Sequence, residues 1–176
     1  MLAHPSTLAN YNAWANRHLA AACGTLTASQ LAEDRAAFFR SILGTLNHIL
    51  LVDILYRQRL EGVKSSFKTL DEFLHQDFAG LAAHQVEEDQ RWIDLTKGLD
   101  GSNMDEVIGF WTLLDNPDRW EVPKHIYFTN LSQHQAHHRG QVHNMLSQTG
   151  MAPPPIGYIE FRLDTDGSFV TTPAAQ

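Results

Sequence analysis

The sequence predicts an all-α protein, a four-helix bundle with a small extended or hairpin excursion between its third and fourth helices. Four segments repeat apolar residues at helical spacing, and clusters of glycine, proline and short polar residues separate them. The chain has 176 residues, of which 43% are hydrophobic and 19% charged, as is typical of a globular protein. We therefore expect one domain over residues 1–176 with one hydrophobic core.

The first two helices are marked by their ends as well as by their periodicity. Residues 5–23 carry apolar side chains at helical spacing, with Pro5 suited to the first turn and Gly24 after the last. Residues 34–60 are apolar on nearly every side, and Gly62 follows them. Because a helix with so little polar surface is usually buried, we expect residues 34–60 to form the central helix.

The third and fourth helices are predicted over residues 69–98 and 123–148. Thr69 is a suitable N-cap residue, and the two acidic residues in the turn after it complement the helix dipole. The fourth segment has a proline at its start, and Gly150 lies just past its end. Both segments therefore have recognisable helix ends.

The helical period is lost between these two helices. Turn clusters at residues 100–103 and 115–118 flank a short apolar segment, which predicts a small hairpin or extended excursion. After the fourth helix, three consecutive prolines at residues 153–155 exclude a helix. The apolar residues at 159–163 predict a short strand.

The charge of the chain disfavours nucleic acid as a partner. The formal net charge is −7 at pH 7, which opposes binding to a phosphate backbone. Lysine and arginine occur singly along the chain, as Arg57, Arg59, Lys64 and Lys68 do. This spacing is typical of solvated helix surfaces, so we expect no basic patch.

Cysteine use and hydropathy indicate the compartment. Cys23 is the only cysteine, which excludes an intramolecular disulfide and a multi-cysteine metal site, and we expect its thiol to be inert. Residues 1–6 do not resemble a signal peptide. The most apolar run, residues 49–55, contains Asp53 and is far shorter than the roughly 20 residues that cross a bilayer. We therefore expect a cytoplasmic protein that does not enter membranes.

Histidines are concentrated in the fourth helix. His134 and His138 are four residues apart, so their side chains differ by about 40° in direction and project from one face. Gln141 and Tyr127 share that face, whereas His137 lies at its edge and His143 points almost the opposite way. Two neutral imidazoles at this spacing suit a borderline cation such as zinc.

A third metal ligand is expected from the central helix. His48 lies among apolar residues there, and three histidines with an open position are typical of a catalytic metal site. Asp53 points about 140° away from His48 and is interpreted as a salt-bridge or capping partner. Position 135 is glutamine, which cannot act as the general base of a zinc protease. Without a metal, the histidine pair would be ordinary surface residues and His48 would bond to a neighbouring helix.

Three short motifs carry a resemblance to a known family. They are Tyr11–Asn16 in the first helix, Gly44–His48 in the second and His134–Gln141 in the fourth. In this order and spacing the chain resembles the DinB family of metal-dependent proteins, nearly from end to end. The resemblance implies an up-down-down-up four-helix bundle, a homodimer, and a three-histidine site matching His48, His134 and His138. The stretch 104–120 departs from the family by lacking a clear pattern of two extended segments.

The resemblance also implies a class of reaction. Related proteins include S-transferases that use low-molecular-weight thiols, so we hypothesise a thiol-dependent S-transferase acting on a small molecule, with Gln141 and Tyr127 orienting it. A metal-dependent hydrolase that activates water and a non-catalytic bundle stapled by metal are the alternatives. Imidazole ligands suit zinc or nickel, and also iron. Arg139 is expected to pack or form a salt bridge at a helix or dimer interface, and the sequence indicates no further catalytic residue.

Overall fold

Four long helices and a small sheet make up most of the fold. The computed structural model describes residues 4–65, 67–99, 101–113 and 118–166. These ranges contain six α-helices and one antiparallel sheet of two strands. In chain order they are α1 (Pro5–Cys23), α2 (Ala28–Ala32), α3 (Ile42–Leu60), α4 (Phe78–Thr96), β1 (Val107–Trp111), β2 (Arg119–Pro123), α5 (Lys124–Ser147) and α6 (Tyr158–Thr165).

The core is built around α3, as its apolar pattern predicted. This helix packs against α4 and α5, and α1 packs against the same two helices. Leu50 and Leu51 have no exposed surface, and most residues of α3 up to Leu55 are buried. Within the described residues, no helix combines the length and the hydropathy that crossing a membrane requires.

The predicted start of the second long helix is wrong by eight residues. The backbone at Ala36 and Arg40 has positive φ angles of 54° and 65°, which an α-helix does not allow. A bridge between Ala37 and Arg40 closes this turn. The helix begins at Ile42, because the hydroxyl of Ser41 accepts a hydrogen bond from the N–H of Gly44 at 3.0 Å.

The third long helix also begins later than predicted. Thr69 is not its cap, because the carboxylate of Glu72 accepts hydrogen bonds from the backbone N–H groups of Lys68 and Thr69 and holds a loop. The carboxylate of Asp77 instead accepts a bond from the N–H of Gly80 at 2.8 Å, and α4 starts at Phe78. The loop before α4 is thereby free to pass close to α3.

The ends of the other helices agree with their sequence signals. Helix α1 has the predicted bounds, and α5 differs from its predicted range by one residue at each end. Gly62 and Gly150 follow α3 and α5 with φ angles of +71° and +82°. These left-handed conformations suit glycine, which has no Cβ to clash with the preceding turn.

The predicted hairpin is confirmed. Strands β1 and β2 pair antiparallel, with Val107 opposite Pro123 and Trp111 opposite Arg119. An extended pair is therefore present over residues 107–123, which overlaps the stretch 104–120 despite its weak sequence pattern. Part of the predicted turn, at residues 114–117, lies outside the described residues.

The short strand predicted at residues 159–163 is wrong, because α6 occupies this segment. Tyr158 and Phe161 are three residues apart, so a helix turns both rings towards α1. The ring of Phe161 packs against those of Tyr11 and Trp14, and the indole N–H of Trp14 donates to the carboxylate of Asp164 at 2.7 Å. Contacts with α1 thus select the helix over a strand.

Candidate metal centre

Helices α3 and α5 bring three histidines together. His48 comes from α3, and His134 and His138 come from α5. One possible ligand atom from each residue lies within 4.8 Å of the other two. The ring centroid of His138 lies 4.5 Å from that of His48 and 4.4 Å from that of His134. The three residues chosen from sequence therefore form one cluster that suits a metal site.

The orientation of His48 is set by the loop before α4. Its Nδ1 atom lies 2.7 Å from the carbonyl oxygen of Leu70. A carbonyl can only accept, so Nδ1 carries the proton and Nε2 presents a lone pair to the cluster. The ring of Phe39 stacks on the imidazole, with 3.9 Å between centroids. Ligating histidines in metal proteins are commonly held by such a bond from the other ring nitrogen.

His138 is held in a similar way from its own helix. Its Nδ1 atom lies 2.9 Å from the side-chain oxygen of Gln141, which leaves Nε2 as the acceptor. The amide nitrogen of Gln141 lies 3.2 Å from Nε2 of His137. Gln141 therefore orients a candidate ligand and at the same time reaches the rim of the pocket.

His134 shows why the cluster fits a cation. Its Nε2 atom lies 3.1 Å from Nε2 of His48, while its buried Nδ1 atom has no hydrogen-bond partner within the described ranges. If Nδ1 carries the proton, two Nε2 lone pairs face each other and repel unless a cation lies at them. If Nε2 carries it, Nδ1 is a buried acceptor without a donor, which costs free energy. A metal ion would remove the repulsion between the lone pairs.

Burial keeps the three imidazoles neutral. It lowers the pKa of His48 to about 4 and, together with the nearby His138 and His48, lowers the pKa of His134 to about 3. Burial also lowers the pKa of His138. Neutral imidazole is the form that binds metal, so the cluster is ready for an ion at neutral pH.

An open pocket of about 540 Å³ lies over the three histidines. Besides the histidines themselves, the residues that line it are Phe38, Phe39, Leu70, Asp71, His137 and Gln141. This lining, within the described part of the chain, contains one carboxylate and no lysine or arginine. The cluster is therefore accessible to a small molecule, and a carboxylate is close to it.

Two residues of the fourth helix lie away from this pocket. Tyr127 points in nearly the same direction as His134 but is seven residues earlier, which is about 10 Å along the helix axis. Its hydroxyl donates to the carbonyl oxygen of Tyr56 at 2.9 Å, and its ring packs against Phe110. The structure thus does not bring Tyr127 to the histidines. His143 points away as expected, with Nε2 3.0 Å from the carbonyl oxygen of Pro154.

A buried polar network behind the histidines was missed from sequence. Asp53 accepts hydrogen bonds from the amides of Gln135 and Gln85, and the salt-bridge or capping role predicted for it is wrong. Arg139 is only 2% exposed and donates to Asn12 inside the protein. Arg139 therefore packs at the interface of α5 with α1, one of the positions expected for it, and it is buried there.

The same network explains the glutamine at position 135. Gln135 is 1% exposed and points away from the pocket, donating to Asp53 and to the carbonyl oxygen of Ile49. Burial and the neighbouring Asp89 raise the pKa of Asp53. Polar residues four apart on helices with buried faces, Asn12 with Asn16 and Gln135 with Arg139, are the signal that could have revealed this network.

The cysteine behaves as expected for a residue without a chemical role. Cys23 is fully buried within the hydrophobic core at the end of α1. Burial raises the pKa of its thiol to about 12. The thiol is therefore not a nucleophile at neutral pH.

Comparison with known proteins agrees with the fold and the motifs. The crystal structure of a DinB-like protein from Bacillus cereus ATCC 10987 is similar, with a TM-score of 0.57 and 19% sequence identity. The match covers 81% of this chain and 90% of that one. No curated protein matches the chain. The model of the DinB family matches residues 1–166, and the chain therefore belongs to the DinB family.

Proposed function

We propose that the protein is a metal-dependent enzyme in which His48, His134 and His138 bind one divalent transition-metal ion. The observation that carries this proposal is the meeting of three neutral imidazoles at an open pocket. Three protein ligands with an accessible position are typical of catalytic sites, whereas structural sites are closed by a fourth ligand. Zinc and nickel are the metals proposed first, and iron is also compatible with imidazole ligands.

The chain supplies groups that support such a site. When bound, the metal would lower the pKa of a small thiol or of water and so provide a nucleophile at neutral pH. The carbonyl of Leu70 and the amide of Gln141 hold two of the imidazoles in the required tautomer. The carboxylate of Asp71 lines the pocket and can accept a proton from the incoming nucleophile.

The first candidate reaction is thiol-dependent S-transfer, as the family resemblance implies. A low-molecular-weight thiol would give its proton to a base, and its sulfur would form a bond to an electrophilic carbon. The leaving group would depart from that carbon with the bonding electron pair. Gln141 would then orient the small-molecule substrate, because its amide nitrogen lies at the pocket rim.

The second candidate is hydrolysis, and the lining of the pocket favours it. Asp71 is a candidate general base, because its side chain lines the same pocket as the three histidines. No lysine or arginine of the described residues lines the pocket to attract the carboxylates of a thiol cofactor. A water nucleophile needs a general base but no cationic binding site, so a pocket with Asp71 and no lysine or arginine suits a hydrolase.

We also propose the assembly that the family resemblance implies. The four long helices would run up-down-down-up, and two copies would form a homodimer in the cytoplasm. Light scattering of the purified protein would give the mass of two chains, and the mass of one chain would contradict the dimer.

The test begins with the metal content of protein purified without a histidine tag. Wild type should hold about one equivalent of a transition metal, and His134→Ala should lose it. The loaded protein should then accelerate either the reaction of cysteine with chlorodinitrobenzene or the hydrolysis of p-nitrophenyl acetate. Chelation should abolish this activity while the helical circular dichroism stays.

The control for a surface effect is Gln133→Glu, which changes an exposed residue of the same helix. It should keep both metal and activity. Loss of the fold on chelation, with no activity before it, would instead identify a metal that only staples α3 to α5. Absence of metal after reconstitution would overturn the proposal.

A further inference from the structure

A second groove is lined by the loop that follows α3 and by the β-hairpin. It has a volume of about 890 Å³ and lies between the end of α3 with its following loop and strand β1. Its lining includes Arg59, Lys64, Lys68, Phe110, Trp111 and Arg119. It shares no lining residue with the histidine pocket. A concavity of this size is in the range that binds small organic molecules.

The charge of this groove is opposite to that of the protein. The chain has 20 acidic and 13 basic residues, yet four of the basic ones line the groove. No aspartate or glutamate is among its lining residues in the described ranges. The expectation of no basic patch is wrong here, because folding brings Arg59, Lys64 and Lys68 together with Arg119 of β2.

Arg59 is the cation that most needs a counter-charge. It is partly buried, its Nε atom is buried without a hydrogen-bond partner among the described residues, and burial lowers its pKa. Its guanidinium lies 4.4 Å from the centre of the Phe110 ring and donates to the carbonyl oxygen of Trp111 at 3.2 Å. In the described part of the chain it forms no salt bridge. Its guanidinium is also hydrogen-bonded to the hydroxyl oxygen of Tyr127. These neutral partners compensate the charge of a guanidinium only in part.

The other cations are also available to a ligand. Lys64 is exposed and makes no ion pair with any described residue. Arg119 lies 3.4 Å from Glu121, but both side chains are about half exposed, and such surface pairs contribute little. Lys68 lies near the carboxylate of Glu72, which belongs to the loop and not to the groove. The groove therefore keeps a net positive field.

Aromatic surface lies beside these cations. Trp111 is 61% exposed, although a large apolar ring is normally buried. Phe110, the preceding residue of β1, points to the other face of the strand and lies under the guanidinium of Arg59. A flat ring can stack on an exposed indole, while an anionic group on that ring reaches a guanidinium. Cations and aromatic faces in one groove thus match an anion that carries an aromatic body.

We propose that this groove binds an aromatic organic anion, with Arg59 and Lys64 contacting the anionic group and Trp111 stacking on the ring. The site is separate from the metal-dependent function. Arg59 lies eleven residues after His48 on the same helix, which is about 16 Å along its axis. A ligand of one or two rings in the groove does not reach the histidines.

The probe for this site is naphthoate, titrated into the full-length protein by isothermal calorimetry. One molecule should bind per chain, and acetate and uncharged naphthylmethanol should each bind at least about tenfold more weakly. Arg59→Gln should weaken naphthoate binding by about tenfold. Arg17→Gln, which removes the same charge from an exposed position on α1, should leave it unchanged.

Two further variants keep the test decisive. Lys64→Gln changes an exposed side chain without disturbing the core and should also weaken binding severalfold, even if Arg59→Gln fails to fold. His134→Ala should bind naphthoate as wild type does, whatever its metal content. Loss of binding in His134→Ala, or unchanged binding in both Arg59→Gln and Lys64→Gln, would overturn the groove as the site. Equal binding of naphthylmethanol would overturn the role of the charge.

Discussion

The Nε2 atoms of His48 and His134 lie 3.1 Å apart, although the two residues are 86 positions apart in sequence. The carbonyl of Leu70 fixes the proton of His48 on Nδ1, so the Nε2 atom of His48 can only accept. The Nε2 atom of His134 can face this lone pair in two ways: it carries a proton and donates it to His48, or a cation lies between the two nitrogens. Proton and metal therefore compete for the same place.

The metal should depend on each ligand of the cluster but not on other histidines of α5. We expect His48→Ala and His138→Ala each to lose most of the bound metal, because two imidazoles hold an ion much more weakly than three. His143→Ala should keep about one equivalent, since its imidazole contacts the carbonyl of Pro154. Elemental analysis by mass spectrometry gives these values. Equal loss in all three variants would mean that the cluster is not the metal site.

Introducing at position 135 the glutamate of a zinc-protease motif should not create a protease. Gln135→Glu would place a second carboxylate beside Asp53 in the core and remove the amide that donates to it. We expect no peptide hydrolysis and a loss of roughly 2 kcal/mol in the free energy of unfolding. Urea denaturation followed by circular dichroism measures this loss. The control is Gln133→Glu on the exposed face of α5, which should be nearly neutral, and peptidase activity in Gln135→Glu would refute the described orientation.

Above about pH 7, stability should fall with rising pH because of the buried carboxyl of Asp53. Burial and Asp89 raise its pKa above the unfolded value of about 4, so the folded protein binds more protons than the unfolded chain. The contribution of this proton is present at low pH and is lost as pH rises through the folded pKa. Below about pH 6.5 the buried histidines act in the opposite direction, because their folded pKa values are lowered and the unfolded chain binds the extra protons. The free energy of unfolding should therefore decrease between about pH 7 and about pH 8, where the histidines are neutral in both states.

The variant Asp53→Asn separates this effect from other titrations. It removes the ionisable group, so the slope of unfolding free energy against pH should become flatter, whatever the offset in stability. Asp94→Asn, which changes an exposed carboxylate beside Lys97, should keep the wild-type slope over this range. Parallel slopes for wild type and Asp53→Asn would show that Asp53 is ionised in the folded protein.

The C-terminal helix should be held by its aromatic contacts with α1. Phe161→Ala removes a ring that is 6% exposed and packs against Tyr11 and Trp14. We expect a loss of about 3 kcal/mol if α6 unfolds together with the rest of the protein. Thermal and urea denaturation give this value. Leu163→Ala, at a position 43% exposed, should cost much less, and equal costs would contradict the packing of α6.

Local signals were enough to predict much of the fold. Apolar periodicity identified the central helix, and turn residues located the hairpin. Gly62 and Gly150 marked helix ends, because the left-handed backbone they adopt is costly for other residues. The predicted start of α3 was wrong, because local composition also allowed a helix over residues 34–41. A turn with two positive φ angles occupies this segment instead.

The direction in which a side chain leaves its helix was also predictable, whereas its distance from the histidine cluster was not. The spacing of His134 and His138 placed both on one face, since each residue turns a helix by about 100°. Tyr127 shares that direction but is about 10 Å away along the axis, where Tyr56 and Phe110 surround it. An angular argument alone does not register this separation.

The sequence by itself determined the four long helices, the family and the choice of the three histidines, because each depends on residues close together in the chain or on a short motif. Tertiary structure decided what those residues meet. Packing of α1, α3, α4 and α5 buried Asp53 and Arg139 in one polar network, and the loop after α3 carried Lys64 beside Arg59 and Trp111. Contacts between residues distant in sequence arise only when the helices pack, so a local pattern can mark polar residues on a buried face but does not identify their partners.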